Sequence, residues 1–117
     1  MDSIAFLITS LPYGKEDAFR GVYLPFATVS KGVKTFVLLV GDGVCSALKN
    51  QQAKTIEYPD VSQLIQNILA LGGQVFASRH SCEEMGIKED DLINGVISAS
   101  DEHITQTLIQ ADGSIVF

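Results

Sequence analysis

Residues 75–96 read VFASRHSCEEMGIKEDDLINGV, and the order of chemistries within that stretch points to the fold class. The apolar run Val75, Phe76, Ala77 stops at Arg79, His80 and Ser81. Cys82 then follows at what reads as the first turn of a short helix. A strand that runs directly into a helix is the junction expected of a parallel sheet, whose crossovers are usually helical. The Cys82 sulfur then lies just past a strand end, near a helix N-terminus where unpaired backbone N–H groups favour an anion. A cation on Arg79 or His80 acts in the same direction. Such surroundings lower a cysteine pKa from about 8.5 toward roughly 3.5 to 7.5, so that nucleophilic thiolate is available at neutral pH. Glu83 and Glu84 oppose this, because like charge beside a thiolate raises its pKa. The other state open to Cys82 is a small buried apolar residue.

Upstream, Val61, Leu64, Ile65, Ile68 and Leu69 recur at the spacing of one helical face. Asp60 with Gln63 forms a capping-box pattern before them, and Gly72 and Gly73 end the helix. The polar residues 49–58 predict an irregular connection. Ahead of these, residues 35–40 (TFVLLV) predict a strand that breaks at GDGV, after which Cys45, Ala47 and Leu48 suit a single helical turn. Residues 3–9 are another continuous apolar run, as expected of a central strand covered on both faces, and Pro12 and Gly14 of SLPYG turn the chain after it. Phe19, Val22, Tyr23 and Phe26 then fall at helical spacing, with Glu16 and Asp17 at the start and Gly32 at the end. Pro25 inside that pattern predicts a kink, since an interior proline costs roughly 3 kcal/mol in a regular helix. Downstream, residues 88–93 predict a short acidic helix closed by Asn94 and Gly95, and residues 96–99 a fourth strand. Ser100 caps a helix with Ile104, Leu108 and Ala111 facing inward, and residues 115–117 supply the last strand.

Short apolar strands alternating with helices predict an α/β fold. The expected form is a three-layer αβα sandwich with a five-stranded parallel sheet in the flavodoxin-like order 2-1-3-4-5. The 117 residues suit a single domain spanning 1–117. In such open sheets the chemistry gathers beyond the carboxyl ends of the strands, where strand order reverses. With that order, SLPYG and SRHSC meet there. Cys82 is the candidate catalytic residue, with Tyr13, Gly14, Arg79, His80 and Ser81 as pocket residues. Cys45 emerges from an outer strand with Asp42 and Val44 beside it, and reads as packing. His103, on a helix, reads as structural.

Other chemistries of this fold fail on residue grounds. SLPYGKED lacks the Lys followed by Ser or Thr of a phosphate-binding loop, no dinucleotide fingerprint follows the first strand, and no Cys-x-x-Cys pair is present. Asp42 stands alone where a phospho-accepting receiver needs clustered acids. A net charge of −6 with eight Lys and Arg disfavours direct nucleic-acid binding. A hydrophobic content of 46% and a mean hydropathy of +0.23 predict apolar surface buried against another subunit. The apolar runs are too short to cross a bilayer, and the opening MDSIAFLITS lacks the charged start of a signal peptide. A cytoplasmic, reducing location is therefore expected. Cys45 and Cys82 have no metal-ligand spacing, and such a location argues against a standing disulfide between them.

Four pieces, in order, carry a family resemblance: LPYGKEDAFRG after the first strand, GDGV after the second, CEEMGIKEDDLINGV after the third, and the ending ADGSIVF. The chain resembles the DsrE-like sulfur-relay proteins, small cytoplasmic domains that include sulfurtransferase subunits of bacterial sulfur oxidation and tRNA thiolation. The resemblance implies a five-stranded parallel sheet and assembly into dimers, trimers or hexamers. It also implies a cysteine that carries sulfane sulfur as a persulfide, which maps onto Cys82. The partners implied are a persulfide donor protein and an acceptor thiol protein; neither cofactor nor metal is needed, because sulfur is the cargo. The chain departs from the family where a basic residue often follows the cysteine, with Glu83, Glu84 and Met85 there instead. Family members without the cysteine serve as structural subunits, so a non-catalytic scaffold or a small-molecule-binding domain of the same fold is the alternative.

Overall fold

Strand β1 (Ser3–Ile8) and strand β2 (Lys34–Leu39) lie side by side in parallel, with Ala5 opposite Phe36 and Leu7 opposite Leu38. Both are apolar on both faces because helices cover the sheet from either side. The computed structural model describes residues 2–9, 16–49 and 61–117. Within these, helix α1 (Glu16–Ser30) joins the first two strands, and a 3-10 turn (Gly41–Ala47) leaves the second. Helix α2 (Val61–Ala70), strand β3 (Gln74–Ser78) and helix α3 (Arg79–Glu84) follow. A second 3-10 turn (Glu89–Asp91), strand β4 (Ile97–Ala99), helix α4 (Asp101–Gln110) and strand β5 (Gly113–Val116) complete the order.

All neighbouring strands pair in parallel, in the order 4-3-2-1-5. The α/β class, the three layers and the five parallel strands are those predicted. The order of neighbours differs from 2-1-3-4-5 at two junctions: β3 pairs with β2, as in Val37 opposite Val75, and not with β1, and β5 pairs with β1, as in Phe6 opposite Ile115, and not with β4. The two runs IAFLI and FVLLV are equally apolar, so nothing in their composition marks which one β3 should adjoin. From β1 to β4 the strands advance in one direction across the sheet, and α1 and α2 pack on one face of it. The return from β4 past three strands to β5 then places α4 on the other.

Two apolar cores match this division. One gathers Ile8, Val37, Leu39, Val75 and Ala77 beneath Val22, Val29, Ile65 and Ile68, and includes Cys82. The other sets Ala5, Leu38, Phe76 and Ala99 against Ile104 of α4. Helix α1 continues through the buried Pro25. The turn after that proline is held by Thr28 Oγ1, which bonds the Pro25 carbonyl at 3.0 Å and Thr35 Oγ1 at 2.7 Å. Helix α2 buries Val61, Leu64, Ile65 and Ile68 as its spacing requires; Asp60, its expected cap, lies outside the described residues. The helix expected over 88–93 is only the 3-10 turn, because Asp91 Oδ2 accepts the Lys88 N–H at 2.9 Å and Leu92 forms an antiparallel bridge with Leu48.

Candidate functional site

Strand β3 delivers its last residue, Ser78, into a buried position where the hydroxyl has two tasks. Its oxygen accepts the Ser81 N–H at 3.1 Å, capping α3, and its proton goes to Asp101 Oδ1 at 2.6 Å. The start of α3 is thereby fastened to the start of α4, which is itself capped by Ser100 accepting the His103 N–H at 3.1 Å. Sequence reading passed over Ser78 and Asp101 in this role. The only signal for it was a serine one residue before a short helix. Ser81, an expected pocket residue, accepts the Gly41 N–H at 2.9 Å and ties the exit of β2 to the exit of β3.

Cys82 is the fourth residue of α3, past the first N–H groups of the helix, and only 5% exposed. Its thiol pKa is pushed above the ordinary value, first by burial, then by Cys45, then by Glu83. Of the opposing influences that the sequence sets around this thiol, those that raise its pKa prevail. The physical reason is geometric: the sulfur turns inward to the core, while the Arg79 and His80 side chains stand in solvent. His80 Nε2 instead meets Glu84 Oε1 at 2.7 Å, one helical turn on and fully on the outside. At neutral pH the resting Cys82 is a neutral thiol.

Cys82 nevertheless lines open space. A cavity of about 230 Å³ is lined by Arg79, Cys82, Glu83, Ile87, Lys88, Glu89, Leu92 and Ser98. A neighbouring crevice of about 360 Å³ is lined by Arg79, His80, Glu83, Ser100 and Asp101. Arg79 and Glu83 border both, so the two form adjoining hollows at the carboxyl end of β3 and β4. Lys88, which no sequence motif marked, adds a second cation to the wall that holds Cys82.

Of the expected pocket residues, Arg79 shares a wall with Cys82, Ser81 braces the floor, and His80 lines only the outer crevice. Tyr13 and Gly14 lie outside the described residues, and with β2 between β1 and β3 the exits of those two strands are not adjacent. Cys45 is the reverse case. It was expected on an outer strand, but β2 is the middle strand and its exit adjoins that of β3. The Cys45 thiol is partly exposed, and burial followed by Asp42 pushes its pKa up as well. His103 packs edge-on against Phe76 with ring centroids 5.1 Å apart, a structural contact. Among the described residues no group of three or more His, Cys, Asp or Glu is placed to hold a metal ion.

A model of the DsrE/DsrF-like family matches residues 2–117. An uncharacterized protein of Methanocaldococcus jannaschii is 30% identical over 111 residues, 95% of this chain and 96% of its own. A protein of Aliivibrio fischeri described as a TusC homolog is 28% identical over the whole of both chains. Among solved structures, the ychN protein of E. coli superposes over the full length of both chains with a TM-score of 0.90 at 24% identity. A protein of unknown function from Methanobacterium thermoautotrophicum does so with 0.71 at 19% identity. These two likenesses show the shared fold. With the family model matching from the second residue to the last, the chain belongs to the DsrE/DsrF-like family.

Proposed function

We propose that this protein is a cytoplasmic sulfur-relay protein that carries sulfane sulfur as a persulfide on Cys82 and passes it to an acceptor thiol. The observation that carries the reading is the position of Cys82: in a chain of this family, at the carboxyl end of the sheet, in the wall of a cavity of about 230 Å³. Loading is a thiol exchange. The Cys82 thiolate attacks the outer sulfur of a donor persulfide, the donor leaves as a thiolate, and Cys82 holds Cys–S–SH until an acceptor thiolate attacks that outer sulfur in turn. Because the resting thiol is neutral, the step requires loss of its proton as the donor docks. Arg79 and Lys88 on the same wall are the cations placed to offset the new charge, against Glu83 and Glu89. A hollow of this size admits the end of a persulfide side chain and keeps the loaded sulfur from bulk water.

The partners in this reading are a persulfide-bearing protein and a thiol-bearing protein, with homo-oligomerisation of the chain itself. Ile109 is 74% exposed and Val116 63%, apolar surface of the kind that a further subunit covers. Within the described residues no helix is long and apolar enough to cross a membrane.

Mass measurement immediately after exposure to a persulfide donor tests the site. The expected adduct is one sulfur atom per chain, absent in Cys82→Ser and present in Cys45→Ser; the opposite pattern overturns the assignment. The burial of Cys82 favours a second reading, a non-catalytic subunit of an oligomer. That reading gains if folded wild-type protein takes up no sulfur and Cys82 reacts with thiol reagents only on unfolding.

A further inference from the structure

The sheet order sets next to each other the elements that carry two cysteines 37 positions apart in the chain. Cys45 sits in the 3-10 turn at the exit of β2, and Cys82 in the helix at the exit of β3. Strands β2 and β3 are neighbours in the sheet, so the turn and the helix that follow them leave the same edge side by side. The two exits are also clamped to each other. Gly41 at the head of the turn donates its N–H to Ser81 Oγ at 2.9 Å, next to Cys82 in the chain. At the tail of the turn the Ala47 carbonyl accepts the Ile93 N–H at 2.8 Å, and Lys49 N–H reaches the Asp91 carbonyl at 2.9 Å. Val44 and Ala47, on either side of Cys45, pack in the same core as Cys82, and both cysteines are free. The electrostatic influence of Cys45 on the Cys82 thiol reflects the same closeness. The two differ in access: Cys82 is buried, while Cys45 is partly open to solvent.

We infer that Cys45 is a resolving thiol that discharges the sulfur held on Cys82 and leaves a Cys45–Cys82 disulfide. The inference rests on the persulfide reading of Cys82. Attack on the inner sulfur, Cys82 Sγ, is the step that links the two segments tied by the Gly41–Ser81 bond. In the step, Cys45 loses its proton and its sulfur bonds to Cys82 Sγ. The bond from Cys82 Sγ to the outer sulfur breaks, and the outer sulfur departs with its own proton and the one from Cys45 as hydrogen sulfide. The sulfane sulfur gains two electrons and the two cysteine sulfurs supply them, so no external oxidant enters. A dithiol reductant then reopens the disulfide and returns both thiols. With no acceptor docked, the chain therefore turns a bound persulfide into sulfide, and a dithiol makes that turnover repeat.

The test uses the full-length protein loaded with a low-molecular-weight persulfide, freed of donor and followed in time. Wild type is expected to release close to one sulfide per chain, and a non-reducing digest to contain the Cys45 and Cys82 peptides linked. Cys45→Ser and Cys45→Ala are expected to keep the sulfur on Cys82 and to release sulfide at least about tenfold more slowly. A wild-type persulfide that lasts as long as that of the Cys45 variants, or sulfur found on Cys45 without sulfide release, overturns the inference. Treatment of unloaded wild type with the thiol oxidant diamide separates the two levels of the claim. Absence of the Cys45–Cys82 link then refutes the pair, whatever Cys82 carries. A diamide-formed link in protein whose Cys82 takes up no sulfur in any variant refutes the relay reading, and the discharge step with it.

Discussion

Cys82 shows how far one side chain's chemistry depends on the direction it faces. Arg79, three residues before it, stands in solvent while Cys82 packs in the core, so burial and the neighbouring Cys45 and Glu83 hold the proton on. A thiol whose pKa is raised by folding stays protonated in the native state over a pH range in which the unfolded chain, titrating near about 8.5, has already lost the proton. Its contribution to stability is complete below that pH and falls as pH rises through the window. Urea midpoints measured between about pH 7 and about pH 10 are expected to decline in wild type, and to decline less in Cys82→Ala. The alkylation rate of Cys82 is expected to climb with pH to a midpoint above that of a free thiol; a midpoint below neutrality would mean that the resting thiol is activated. Gly43 is a steric counterpart. A Cβ there would lie 2.1 Å from the Ile8 carbonyl oxygen and 2.8 Å from its carbon. Gly43→Ala is expected to lower stability by about 1–3 kcal/mol, read as a lower urea midpoint with unchanged slope.

At the scale of elements, α3 has six residues, too short to be stable by itself, and its geometry depends on what fastens its ends. Ser78 supplies the fastening by capping α3 and bonding Asp101. Ser78→Ala removes the cap and leaves the Asp101 carboxylate without that donor, an expected loss of about 1–2 kcal/mol. Because the same hydroxyl orients the helix that holds Cys82, the rate of Cys82 alkylation is expected to rise in this variant as the thiol becomes more accessible. Helix α2 shows the opposite economy. It is specified by its apolar stripe, with Ile65 fully buried between it and the sheet. Ile65→Ala is expected to cost about 2–5 kcal/mol, with no preferential effect on Cys82 reactivity because the site lies on other elements. Caps and stripes of this kind are written over four to eight consecutive residues, which is why α2, α4 and the end of α1 at Gly32 were legible. The expected helix over 88–93 was not, because the bridge between Leu48 and Leu92 that reshapes it joins segments 44 positions apart.

Across the whole molecule, the sheet is covered on one face by α1 and α2 and on the other by α4, and apolar side chains such as Ile109 and Val116 remain in solvent. With a chain mass of 12.6 kDa, the protein is expected to sediment as an oligomer, and Ile109→Glu to shift that distribution toward the single chain. The class of fold was readable in advance, because continuous apolar runs separated by helical periodicity have few other packed solutions. The location of Cys82 at the end of β3 was readable for the same reason. Strand adjacency was not, because β1 and β2 bury both faces equally and their residues carry no mark of which neighbour lies on which side. The pairing of β2 with β3 is a property of the assembled sheet. From it follows that the turn carrying Cys45 lies beside the helix carrying Cys82, tied by the bond from the Gly41 N–H to Ser81 Oγ, a contact between segments that are distant in the chain.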